Sequence, residues 1–139
     1  MAETDCEQTG LLMKECFSVP WSVEGLKEMF HTEGYCSFLA KEEEEVIGYV
    51  GMKMVLDEAD ITNVAVLPSH RKKGIAGKLL KQLLEEAKKQ NLHSIYLEVR
   101  ASNIAAVTLY EHAGFKEVGQ RKNYYDNPRE DARLMLWEA

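Results

Sequence analysis

His70-Arg-Lys-Lys-Gly-Ile-Ala-Gly-Lys78 lies between a strand-like run, 61–67, and a helix-like run, 79–89, in a chain of 139 residues. A strand that turns through glycines into a helix start is suited to anion binding. The first N–H groups of a helix lack partners inside it, and the helix dipole favours negative charge there. Gly74 and Gly77 let the backbone approach a ligand closely. The stretch therefore predicts an α/β fold with an anion-binding turn.

The charge of this segment is opposite to that of the whole chain, whose net charge is −6. Positions 70 to 81 contain no acid, and their basic residues are Arg71, Lys72, Lys73, Lys78 and Lys81. This reversal indicates a phosphate-bearing ligand, although an ordinary turn with solvated lysines is the alternative. Neither a P-loop (Gly-x-x-x-x-Gly-Lys-Ser/Thr) nor the dinucleotide fingerprint Gly-x-Gly-x-x-Gly is present. The expected ligand is therefore neither an NTP in a P-loop nor NAD in a Rossmann turn.

Length and composition predict one domain over 1–139, with 45% hydrophobic and 29% charged residues. The sequence has no apolar run long enough to span a membrane and no apolar signal core at its start. Cys6, Cys16 and Cys36 lack metal-like spacing and are interpreted as free thiols of a cytoplasmic protein, away from the glycine segment and from positive charge. The acidic balance argues against direct nucleic-acid binding.

Hydrophobic periodicity predicts the order α-α-β-β-β-α-β-α-β-β, with helices packed on one central sheet. Ser22 is predicted to cap the second helix, and Ser102 or Asn103 the last one. The pattern predicts a turn at 57–59, a helix over 79–89 and a strand over 95–100. It also predicts a short strand over 115–118, a polar loop with Tyr124 and Tyr125, and a last strand over 132–137.

Two side chains are candidates for chemistry. Glu98 lies mid-strand, so its carboxylate either pairs with a cation such as Arg100 or faces a cleft as a base. An exposed sheet face is the alternative. Tyr110 follows Asn103 by about two helical turns, so the two share one helix face. A tyrosine there packs in the core unless that face borders a ligand.

The run Asn63-Val-Ala-Val-Leu-Pro-Ser-His-Arg-Lys-Lys-Gly-Ile-Ala-Gly-Lys-Leu-Leu80 resembles the acetyl-CoA motif of the GNAT superfamily of N-acetyltransferases. The Gln/Arg-x-x-Gly-x-Gly/Ala signature of that superfamily falls on Arg71, Gly74 and Ala76. Further blocks resemble the ribosomal-protein-alanine N-acetyltransferases (RimI-like), and the similarity runs from about Asp5 to Trp137. These blocks are Pro20-Trp-Ser22, Tyr96-Leu-Glu-Val-Arg-Ala-Ser-Asn103, Leu109-Tyr-Glu111, Gly114-Phe115 and Arg121-Lys-Asn-Tyr-Tyr125.

The resemblance implies a GNAT fold, with a central, mixed, mostly antiparallel sheet, flanking helices and two central strands that splay apart around acetyl-CoA. It implies Glu98 as general base and Tyr110 as general acid, with no metal. The implied acetyl-CoA-binding residues are Val64, Ala65 and Val66 through their backbone, Arg71, Lys72, Lys73, Gly74, Ile75, Ala76 and Gly77 at the pyrophosphate, and Asn103 and Tyr110 beside the pantetheine and thioester. Trp21, in the loop 17–21, and Tyr124 and Tyr125 are implied to line the acceptor groove.

The acceptor implied by the resemblance is the N-terminal α-amino group of a protein. In bacterial members it is the N-terminal alanine of a basic ribosomal protein, number eighteen of the small subunit. The same chemistry on a lysine side chain, a polyamine or an antibiotic is the nearest alternative, and a non-catalytic acyl-CoA sensor is another.

The start of the chain departs from the family pattern. Members begin with a strand ahead of the first helix, whereas Met-Ala-Glu-Thr alone precedes Asp5 here. The first strand is therefore predicted to be missing or truncated, which would expose a sheet edge. We expect a monomer or weak dimer, with no membrane partner.

Overall fold

The computed structural model describes residues 1–17, 21–126 and 128–139. The described elements follow the predicted order. The helices are α1 (Cys6–Cys16), α2 (Val23–Phe30), α3 (Ile75–Lys89) and α4 (Ile104–His112). The strands are β1 (Tyr35–Glu42), β2 (Glu45–Val55), β3 (Glu58–Val66), β4 (Ser94–Arg100), β5 (Lys116–Tyr125) and β6 (Glu130–Glu138).

The six strands form one sheet in the order β1-β2-β3-β4-β6-β5. Only the β3–β4 pair is parallel, and the other pairs are antiparallel. The predicted mixed, mostly antiparallel sheet is therefore confirmed. Ahead of α1, residues 1–5 contain a 3-10 turn, Glu3–Asp5, and no strand. The expected family strand at this position is thus missing from the described residues, and β1 is an edge of the sheet.

Helices cover both faces of the sheet, and each face has its own hydrophobic cluster. One cluster joins α3 and α4 to the sheet through residues such as Leu80, Leu83, Val107 and Phe115. The other joins α1 and α2 to β1–β3 through residues such as Leu12 and Leu26. Between them, these clusters bury apolar side chains from every helix, as a layered α/β domain requires.

Helix α3 buries one side through Leu79, Leu80, Leu83 and Ala87, while Leu84 is partly buried. Each fully buried leucine contributes roughly 1.5–3 kcal/mol relative to an exposed one. The helix begins at Ile75, so the predicted start at Leu79 was one turn too late. The first turn was missed because its cap is a glycine, which supplies no side-chain signal.

Two other boundaries differ from prediction. The turn predicted at 57–59 is shorter, because Leu56 adopts a left-handed conformation (φ 57°) and β3 begins at Glu58. The strand predicted to end at Val118 runs on to Tyr125, so Tyr124 and Tyr125 lie on β5 and not in a loop. Within 1–17, 21–126 and 128–139, no helix is long and apolar enough to cross a membrane.

Candidate active site

The two central strands, β3 and β4, are paired only at one end. Their parallel register joins residues 58–60 to residues 94–96. Beyond it, β3 continues to Val66 and β4 to Arg100 with no pairing between them. The predicted splay is confirmed, and it opens a gap in the middle of the sheet.

A β-bulge at Thr62 accounts for this divergence. The register of β3 with β2 shifts between Gly51 and Met52, which leaves Thr62 as the extra residue. Its hydroxyl donates to the Gly51 carbonyl at 3.2 Å. Bulges bend a strand and increase its twist, so this one directs the end of β3 away from β4.

The gap exposes backbone groups of β3. The Leu67 N–H donates to the Ile47 carbonyl of β2 at 2.9 Å. Because backbone groups alternate between the two edges of a strand, those of Ala65 also face β2, while those of Val64 and Val66 face the gap. Of the three predicted cofactor-pairing residues, Val64 and Val66 are therefore placed to pair with an extended ligand, and Ala65 is not.

The N-terminus of α3 has no side-chain cap. Its N-cap is Gly74, in a left-handed conformation with φ 78°, and no side chain accepts from the first turn. In contrast, Ser22 accepts from Gly25 N–H on α2 and Asn103 from Ala106 N–H on α4, at 3.0 and 3.2 Å. The predicted caps of α2 and α4 are confirmed, and α3 alone among these three presents its first N–H groups to a ligand.

Open space and positive charge surround this turn. A Cβ at Gly74 would meet nothing within 4 Å, and one at Gly77 would meet only Leu109 at 3.9 Å. The side chains of Lys72, Lys73 and Lys78 are exposed. The helix dipole, the N–H groups without a side-chain cap and the lysines therefore all favour negative charge at this turn.

Arg71 is exposed, but its guanidinium is tethered to the end of β3. Its Nε donates to the Val66 carbonyl at 3.1 Å, and its Nη2 lies 4.0 Å from Cys16 Sγ, which also donates to that carbonyl. The prediction that no cysteine lies near the glycine segment or near positive charge was therefore wrong for Cys16. Burial raises the pKa of the Cys16 thiol despite Arg71, so the thiol stays protonated and has no nucleophilic character.

A cleft of about 640 Å³ lies on the face of the sheet opposite α3. It extends across the splayed strands to the hairpin of β5 and β6. Its lining residues are Asp60, Ile61, Thr62, Tyr96, Leu97, Glu98, Val118, Arg121, Tyr124, Tyr125 and Leu134. Predicted Glu98, Tyr124 and Tyr125 thus meet in one cavity, although they come from distant parts of the chain.

Glu98 faces this cleft with one carboxylate oxygen paired and one free. Oε1 lies 3.6 Å from Arg121 Nε. Oε2 is buried and has no hydrogen-bond partner among the described residues. The Tyr124 hydroxyl faces the same carboxylate, which raises the pKa of Tyr124. Each of the two predicted arrangements holds in part: Glu98 lines the cleft, and it also pairs with a cation, although that cation is Arg121 and not Arg100.

Tyr110 is buried on α4, where its ring packs edge-on against Phe115 with centroids 6.0 Å apart. Burial, with a smaller effect of the Tyr125 phenol, raises the pKa of Tyr110 to about 12. Burial and the negative charge of Glu98 also raise the pKa of Tyr125 to about 12. The Tyr125 phenol therefore raises the pKa of Tyr110, and its own pKa is raised by Glu98.

Arg100 holds the β5–β6 hairpin beside the cleft. It donates to the carbonyls of Asp126 and Pro128, both at 2.9 Å, and pairs with Glu130 at 3.4 Å. Its guanidinium lies 4.5 Å from the centre of the Tyr125 ring. Neither the bracing of the hairpin by Arg100 nor the Arg121–Glu98 pair was predicted from the sequence. Each depends on β6, which pairs with β4 on one side and with β5 on the other.

Trp21 packs partly buried against the cluster of α1 and α2. Residues 18–20, which belong to its predicted acceptor loop, lie outside the described residues. The part of the chain that the structure describes contains no group of three or more His, Cys, Asp or Glu side chains arranged to hold a metal ion.

Comparison with known proteins agrees with this geometry. The model of the acetyltransferase (GNAT) family matches residues 7–115. The [ribosomal protein bS18]-alanine N-acetyltransferase of Escherichia coli K12 is 35% identical over 95% of this chain and 90% of its own, and that of Haemophilus influenzae is 38% identical over 94% and 90%. The crystal structure of the E. coli ribosomal-protein-S18-alanine N-acetyltransferase superposes with a TM-score of 0.91 at 34% identity, covering 99% of this chain and 90% of that one.

Proposed function

Because this chain belongs to the GNAT family and is an N-acetyltransferase, we propose that its acceptor is the N-terminal α-amino group of a protein. The proposed natural substrate is the N-terminal alanine of a small-subunit ribosomal protein, as the names of its relatives suggest. The observation that carries the proposal is the free Oε2 of Glu98 in a cleft at the splayed strands.

The residues around the gap fit acetyl-CoA, which supplies an acetyl group activated as a thioester. Val64 offers both backbone groups to an extended pantetheine arm, and Val66 offers its N–H, because the Val66 carbonyl already accepts from Arg71 Nε and Cys16 Sγ. The turn from Arg71 to Gly77, whose helix start has no side-chain cap, offers N–H groups and lysines to the pyrophosphate. Asn103 keeps its amide nitrogen available because only its oxygen is used as a cap.

Glu98 is the proposed general base. A protein α-amino group has a pKa of about 7.7–8.0, so its loss of one proton at neutral pH requires little free energy. Glu98 Oε2 takes that proton, directly or through one water, since it has no other partner among the described residues. Arg121 pairs with the other oxygen, Oε1, at 3.6 Å. The neutral amine then attacks the thioester carbonyl carbon, a C–N bond forms and the C–S bond breaks, without a covalent enzyme intermediate. The second proton of the amine nitrogen passes through solvent to the departing thiolate, which leaves as the free thiol.

Tyr110 is the proposed acid on the side of the leaving sulfur. Its pKa of about 12 keeps the phenol protonated throughout the working pH range. A cysteine-like thiol has a pKa of about 8.5, so complete proton transfer to its thiolate would be uphill by about 3.5 pKa units, or about 5 kcal/mol. Tyr110 therefore donates a hydrogen bond to the sulfur as negative charge develops there.

This pKa gives a testable prediction. Tyr110→Phe should lower kcat by about a hundredfold, and by a similar factor at every pH from 7 to 10, because the phenol does not ionise in that range. Steady-state rates of both proteins across this range provide the measurement. A descending limb near pH 9 that is lost in the variant would contradict the assignment.

The acceptor groove is proposed to lie between Trp21 and the strand β5, where Tyr124 and Tyr125 face the cleft. Tyr125 is paired with Glu130 of β6, and β6 in turn pairs with β4, which carries Glu98. Tyr124 lies in the register irregularity just before Tyr125. A peptide that enters from this side brings its free α-amine to the carboxylate.

A pair of peptides tests the acceptor. A peptide that begins with alanine and contains an internal lysine should release thiol from acetyl-CoA, whereas the same peptide with its α-amine blocked should react at least a hundredfold more slowly. Mass spectrometry of the product should place the acetyl group on the N-terminus. Comparable turnover of the blocked peptide, or faster turnover of a polyamine, would reject the proposed acceptor.

A further inference from the structure

Asp60 of β3 and Tyr96 of β4 lie side by side, at the point where the pairing of these two strands ends. They are partners in the last parallel pair between β3 and β4. Their neighbours Ala59 and Ile95 are buried in the cluster under α3. Because side chains alternate along a strand, Asp60 and Tyr96 point to the opposite face, where they line the cleft that contains Glu98.

Asp60 brings a carboxylate that forms no ion pair with any residue that the structure describes. The charged residues lining the cleft are Asp60, Glu98 and Arg121, and Arg121 is paired with Glu98. Lys53, its cross-strand partner on β2, donates to the Glu33 carbonyl at 2.9 Å and lines a different pocket.

Aromatic surface accompanies this charge. Tyr96 is 38% exposed and Tyr124 is 48% exposed, and both line the cleft. The faces of tyrosine rings attract cations, and a guanidinium also binds a carboxylate through its fork of N–H donors. An exposed carboxylate beside exposed tyrosines is suited to the side chain of arginine or lysine.

We infer that Asp60 and Tyr96 form a subsite for a basic side chain close to the N-terminus of the acceptor peptide. The inference rests on the proposed function and specifies its substrate further. Tyr96 and Glu98 are two residues apart on β4, which is about 7 Å. Consecutive peptide Cα atoms are about 3.8 Å apart, so a long side chain on the second residue reaches the subsite while the α-amine lies at Glu98.

The test uses two acceptor peptides that begin Ala-Arg and Ala-Gln and are otherwise identical. The intact protein should prefer the Ala-Arg peptide by about fivefold to tenfold in kcat/KM, since exposed ion pairs and cation–π contacts each contribute modestly. Asp60→Asn should reduce this preference to less than twofold. Asp60→Lys should reverse it in favour of a third peptide, Ala-Glu.

Glu58→Gln is the matched control. It removes a carboxylate from the same strand and the same face, two residues farther from the cleft, and it should keep the preference for Ala-Arg. A binding measurement with the unreacted peptides should show the same ratios, which separates recognition from effects on the chemical step.

The outcomes distinguish this inference from the proposed function. If peptides with a free α-amine are acetylated but Asp60→Asn leaves the Ala-Arg preference intact, the subsite is wrong and the proposed function stands. An intact protein that shows no preference between the two peptides also rejects the subsite. If no peptide with a free α-amine is acetylated, the proposed function fails and the subsite fails with it.

Discussion

Replacing Glu98 with glutamine is expected to lower kcat by about a hundredfold to ten-thousandfold, the usual contribution of a general base. Glutamine has the same shape but does not accept the proton of the α-ammonium group. The deficit should shrink as the pH rises above about 8, because the amine then loses its proton without help. Thiol release measured from pH 6 to 10 with a saturating peptide gives both results.

Stability and cofactor binding should change little in this variant. The ion pair that it weakens involves an Arg121 side chain that is 56% exposed, and exposed pairs contribute little. Glu117→Gln is the control, because Glu117 pairs with Arg133 at a similar distance of 3.5 Å outside the lining of the cleft. If Glu98→Gln retains more than a third of the normal kcat at neutral pH, Glu98 is not the base.

Replacing Gly77 with aspartate should have opposite effects on folding and on cofactor binding. The residue lies in the first turn of α3, where a Cβ meets only Leu109 at 3.9 Å. Removing a helical glycine and placing an acid near the helix N-terminus should together raise the free energy of unfolding by about 1 kcal/mol. Thermal or denaturant unfolding without ligand measures this gain.

The same carboxylate should weaken acetyl-CoA binding about a hundredfold or more. It would stand within a few ångström of the proposed pyrophosphate position, where a like-charge pair costs about 4 kcal/mol at an intermediate dielectric. Gly77→Asn separates charge from bulk, since it adds the same volume without the charge. Gln82→Glu, five residues or about 1.4 turns further along α3, adds a negative charge away from the turn and should change the dissociation constant less than threefold.

Calorimetric titration with acetyl-CoA at two salt concentrations completes this test. The penalty in Gly77→Asp should fall as salt rises, because screening weakens the repulsion. An aspartate variant that binds as tightly as the unaltered protein would show that the pyrophosphate does not lie at this turn.

The elements with local signals could be predicted from the sequence. The leucines of α3 repeat with helical spacing, and the alternation of Ile95, Leu97 and Val99 with polar residues places Glu98 on the opposite face of β4. Such periodicities reflect which side chains must be buried. They can therefore be recognised in the sequence without knowing which residues those side chains pack against. That periodicity left open whether Glu98 lies in a cleft or on an exposed face, because the cleft is formed with β3, β5 and β6.

The errors concern features that depend on distant residues or carry no local signal. The second half of β5, from Gln120 to Asn123, is polar because that strand is an exposed edge, and it therefore reads as a loop. The Glu98–Arg121 pair and the brace formed by Arg100 require the register of β4 and β5 on β6. Leu56 occupies a left-handed turn position that usually takes glycine or asparagine.

The gap between β3 and β4 has a consequence for the folded population as well as for chemistry. Beyond residue 60, the backbone N–H and C=O groups of β3 that face β4 have no strand to pair with. An extended small molecule could bind them as an added strand would. A ligand that binds only the folded state raises its stability in proportion to the logarithm of its concentration. If acetyl-CoA fills this gap, the lifetime of the protein inside a cell is coupled to the supply of its own acetyl donor.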